Sequence, residues 1–138
     1  MRVKFTTIKL TLLSLGVAGV VTIAPATAGD VYIIAHPGVE LAEAEIREVY
    51  MGEKQFAGTV KLVPVDNALV QTDFLERVIS MRADKYAALW VKKSFRGDAT
   101  VPPTKSNDAD VIKFVKSTPG AIGYVSAPAQ GVKALQQY

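Results

Sequence analysis

The chain has 138 residues, 49% of them hydrophobic, with 16 basic and 13 acidic side chains, one histidine and no cysteine. That length allows a single domain with one core. The missing cysteine excludes disulfides and thiol chemistry, and one histidine leaves too few nitrogen or sulfur ligands for a transition-metal site.

The formal charge of +3 belongs to the start of the chain, where Arg2, Lys4 and Lys9 precede an apolar stretch from Leu10 to Ile23. Ala26-Thr27-Ala28 then offers a small-x-small cleavage site. The apolar stretch is 14 residues long and Pro25 follows it, whereas a spanning helix needs about 20. Residues 1–28 are therefore expected to be a cleaved signal peptide, delivering residues 29–138 to the periplasm with no membrane insertion. Removing the three leader cations brings the formal charge to zero. No basic stripe then remains to suggest nucleic-acid binding.

Val31 to Ala35 is apolar at consecutive positions and predicts a first strand covered on both faces. His36-Pro37-Gly38 breaks it. Leu41 to Tyr50 predicts a helix with Ala42, Ile46, Val49 and Tyr50 on one side, ended by Gly52. Val60 to Val65 predicts a second strand, with Pro64 requiring an edge position or an early end. Asp66-Asn67 offers a helix N-cap, and Val70, Phe74, Val78 and Met81 then recur at helical spacing. Asp84 is placed to cap a further helix bearing Tyr86, Leu89 and Trp90. After a loop from Arg96 to Pro103, Ser106-Asn107 caps a helix with Val111, Ile112, Phe114 and Val115 inward. Pro119-Gly120 ends that helix, Ala121 to Val125 reads as a strand buried on both faces, and Val132 to Leu135 adds a short last strand. Strands separated by helices predict an α/β fold with a mixed, mostly parallel sheet flanked by helices.

In open α/β sheets ligands gather beyond the carboxyl ends of the strands. That rule selects His36, Asp66-Asn67 and Ser126, with the helix after Asn67 opening toward the same edge and presenting amides suited to an anion. No Gly-x-Ser-x-Gly elbow is present, and the one histidine has no sequence-evident partner. Neither an enzyme nor a cofactor is expected.

Several segments, taken together, carry a more specific reading. They are Leu41 through Gly52, the Pro-Val-Asp of 64–66 leading into Phe74, Trp90 to the Phe-x-Gly of 95–97 before Pro102-Pro103, and Pro119-Gly120-Ala121-Ile122-Gly123-Tyr124. They resemble the substrate-binding protein of phosphate ABC transporters, a type II periplasmic binding protein, and in particular its short single-lobe relatives. The resemblance implies a PBP-like single-lobe domain over residues 29–138. It also implies phosphate or a similar oxyanion as inherited ligand, and a role in ABC-type phosphate uptake or sensing. By this resemblance the turn 66–72 is the anion turn, with Asn67, Gln71 and Thr72 as its polar groups. The family's Gly-Ser-Gly-Thr-like wording is replaced there by Asp66-Asn67-Ala68-Leu69-Val70-Gln71-Thr72. Only one lobe is present, so the opposite wall of the cleft would come from a second copy in a homodimer or from a membrane transporter or sensor subunit. The alternative role is an interaction module docking on such a subunit, with anion binding weak or lost.

Overall fold

The computed structural model describes residues 29–138, and the expected leader lies outside the described residues. Four strands form the main sheet in the order β4 (Val63–Pro64), β7 (Ala121–Val125), β1 (Tyr32–Ala35), β8 (Lys133–Gln137). Two small ladders accompany it. The hairpin β2 (Phe56–Ala57) with β3 (Val60–Lys61) is antiparallel, and β5 (Asp66–Asn67) with β6 (Thr104–Lys105) is parallel.

The mixed sheet flanked by helices is as expected, but its parallel share is smaller. β4 runs parallel to β7, whereas β1 is antiparallel to both β7 and β8. Helices between strands in sequence require crossovers only if those strands become neighbours. Here α1 (Glu43–Tyr50) leads out of the sheet into the β2–β3 hairpin, and β7 separates β1 from β4. The stretch 60–65 is accordingly divided, its first half in the hairpin and its second half against β7. Pro64 lies on the edge strand, where its missing N–H disturbs no ladder.

Strand alternation sends side chains to two cores. Ile33, Ala35, Ile122 and Tyr124 join the larger one with Ile46, Val49 and Tyr50 of α1, Phe74 of α2 (Gln71–Phe74), and Tyr86 and Trp90 of α3 (Ala83–Phe95). Ile34, Ala121 and Val125 meet Val111 and Val115 of α4 (Asp108–Ser117) on the other face. Gly123 allows α4 that approach, because a Cβ there would stand 2.7 Å from Val111 and 2.9 Å from Val65.

Three local expectations shift. The helix after residue 66 starts at Gln71, with Asp66-Asn67 in a strand rather than a cap, and it continues as a π-helical turn over Leu75–Ile79. Its buried residues come in the adjacent pairs Phe74-Leu75 and Val78-Ile79. The cap of α3 is Arg82, not Asp84. Asn107 does cap α4, its side-chain oxygen accepting from the Asp110 N–H at 3.0 Å.

Candidate functional site

The parallel pair β4–β7 sets one end of the sheet, and β5 extends it past the last residue of β4. Asn67 comes to Tyr124 there, and Ser126 follows directly on β7. His36 falls at the opposite end, its N–H donating to the Ala121 carbonyl at 2.9 Å. The length of β7, about 13 Å at roughly 3.3 Å per residue, separates it from Ser126. The expected common edge therefore unites Asn67 and Ser126 but not His36, because β1 is antiparallel to β7.

Asn67 is fully buried. Its amide nitrogen donates to Asp108 Oδ1 at 2.8 Å and to the Tyr124 carbonyl at 3.0 Å, while its oxygen accepts from the Leu69 N–H at 3.0 Å. Asp108, the first residue of α4, also accepts from the Ser126 hydroxyl at 2.5 Å and from the Ser126 N–H at 3.1 Å. Asn67 and Ser126 thus converge on a carboxylate of the chain itself. Gln71 is half-buried and Thr72 exposed in the first turn of α2. Thr72 opens onto a groove of about 640 Å³ shared with Glu76, Ser80, Met81, Arg82 and Asp84.

Beneath this rim lies a polar group that the sequence presents as a helix cap at a strand end. Asp66 is 3% exposed and accepts from the Tyr124 hydroxyl at 2.9 Å and the Tyr86 hydroxyl at 3.1 Å. Burial pushes its carboxyl up from 3.8 to about 6, against the opposing pull of the bonds from Tyr124 and Tyr86. Burial, followed by the nearby Asp66 charge, drives both tyrosines far above their ordinary range, so they remain donors. Tyr50 completes the layer. Its hydroxyl donates to the Val65 carbonyl at 3.1 Å and the Ile122 carbonyl at 3.0 Å, and its ring meets Phe74 and Tyr124. Phe74 stacks on Tyr124 with centroids 3.8 Å apart. The available signal was the placement of Tyr50, Tyr86 and Tyr124 on predicted core faces. A buried phenol needs a polar partner, and Asp66 at a strand end was within the chain's reach.

These features define a single α/β lobe with its polar groups gathered at the carboxyl ends of a parallel strand pair. The chain is similar to a protein from Clostridium perfringens described as a phosphate ABC transporter substrate-binding protein and solved with bound phosphate. The two are 18% identical with a TM-score of 0.56 over 79% of this chain and 46% of that one. It is also similar to PstS from Borrelia burgdorferi, at 14% identity and a TM-score of 0.51, covering 78% of this chain and 47% of that one. The chain thus spans somewhat under half the length of these neighbours. No family model and no curated protein sequence matches it.

Proposed function

We propose that the chain is an exported solute-binding-like protein of ABC-type phosphate uptake or sensing, working in the periplasm after cleavage at Ala28. The observation that carries this reading is the similarity of its lobe to a phosphate-bound receptor, joined to a polar rim at the strand ends. Gln71 and Thr72 are the reachable donors of that rim, while Ser126 and Asn67 are held by Asp108 and support it from below. His36, at the far end of the sheet, has no part in it.

Affinity for an oxyanion is weak in this reading. One helix start contributes about 0.3–1 kcal/mol and each charge-assisted hydrogen bond about 1.5–3 kcal/mol. Micromolar binding requires about −8.2 kcal/mol. Asp66, Asp108 and Asp73 near the rim oppose a second anion, and water reaches the open side. A partner subunit or a second copy supplies the missing wall. Calorimetry of residues 29–138 with phosphate and sulfate tests this: weak heat for phosphate supports it, and none at millimolar anion removes the independent receptor.

One observation favours a second reading, an interaction module that docks on a transporter or sensor subunit with its anion role lost. Asp108 already takes the hydrogen bonds of Asn67 and Ser126 that an oxyanion would accept.

A further inference from the structure

Helix α3 buries Tyr86 and Trp90 and half-buries Leu89 and Lys93, which leaves its opposite side facing outward. At about 100° per residue, Ala88, Val91 and Phe95 fall on one outward stripe. Val91 is 66% exposed and Phe95 93% exposed. A surface phenylalanine normally lays one ring face on neighbouring atoms; this ring touches almost nothing. Lys85, Lys92 and Arg96 follow along one flank of the stripe, all exposed. None of the three enters an ion pair among the described residues, whereas Arg82 meets Asp84, the acid at the stripe's N-terminal end, at 3.3 Å.

We infer that the outward face of α3 is a docking surface for an anionic phospholipid bilayer, with Phe95 and Val91 entering the headgroup boundary and Lys85, Lys92 and Arg96 contacting lipid phosphates. The charge pattern selects this occupant. An apolar stripe edged by unpaired cations is the pattern of helices that lie in a membrane interface, and basic residues near such a surface bind anionic lipid additively. A second copy of the same face is disfavoured, because it would bring two sets of cations together against Asp84, the one acid within the helix. The surface lies on the outside of the larger core and shares no residue with the strand-end rim, so this inference stands apart from the proposed function.

The test is co-flotation of residues 29–138 with vesicles of phosphatidylcholine alone or of phosphatidylcholine with phosphatidylglycerol. The inference requires binding to the phosphatidylglycerol vesicles only, falling as salt is raised. Phe95→Ser and Lys92→Glu/Arg96→Glu should each weaken it by about tenfold or more. Both changes are at exposed positions, and circular dichroism confirms that the fold is kept. Equal binding to both vesicle types, no binding to either, or undiminished binding by Phe95→Ser overturns the inference. So does a concentration-dependent dimer that Phe95→Ser abolishes, since the stripe would then pair with its own copy.

Discussion

Replacing Asp66 by asparagine should stabilise the protein at neutral pH, the reverse of the usual outcome for a buried, hydrogen-bonded residue. The carboxyl is held near 6 in the folded chain against an ordinary 3.8. At about 1.4 kcal/mol per pH unit, that displacement amounts to roughly 3 kcal/mol. The sign follows from proton binding: between pH 4 and 6 the folded state holds a proton that the unfolded state has released. The stabilisation is complete below 3.8 and lost as the pH rises through about 6. Asparagine occupies nearly the same volume and keeps an oxygen to accept from Tyr124, while its N–H can donate to the Tyr86 oxygen. Urea unfolding of both proteins from pH 4 to 8 gives the difference directly. The variant should gain up to about 3 kcal/mol at pH 7 and above, less the cost of any imperfect hydrogen bond, with the gain vanishing toward pH 4. A loss of equal size at every pH would refute the reasoning, because Asp66 would then act through shape or hydrogen bonding alone.

Gly123→Ala should destabilise by about 1–3 kcal/mol in the same assay, since its Cβ would meet valine methyls 2.7 and 2.9 Å away. A neutral result would mean α4 can back away from β7. Asn107→Ala should cost about 1 kcal/mol through loss of the bond to the Asp110 N–H, measurable as a lower urea midpoint with unchanged slope. Asn67→Ala should cost roughly 1–3 kcal/mol, because Asp108 and the Tyr124 carbonyl lose a donor. If it weakened anion binding with stability untouched, Asn67 would be a ligand group rather than a support.

The legible parts of this fold were those whose signals are local. The apolar run at 121–125 became the strand buried at all five positions, Asn107 capped its helix, and Pro64 took the edge. Trp90, a core anchor by spacing, packs at 3% exposure and donates to the Tyr50 carbonyl at 3.1 Å. What stayed hidden depends on contacts between segments far apart in the chain. The direction of β1 follows from its pairing with β7 and β8, about ninety residues or more away, and no residue of Tyr32–Ala35 encodes it. The exclusion of His36 from the rim is a consequence of that direction. Asp66 reads as a helix cap because Asp-Asn before a helical pattern usually is one. Its pairing with Thr104 and its two phenol partners outweigh that local preference.

The central claim is that the strand-end rim of this lobe retains contact with an oxyanion. Titrating isotope-labelled residues 29–138 with phosphate, against chloride at matched ionic strength, tests it most directly by NMR. The claim predicts saturable amide shifts at Ala68 to Thr72 and at Ser126, with His36 and Gly38 unmoved. Shifts absent from that set, or scattered over exposed lysines without saturation, would contradict it.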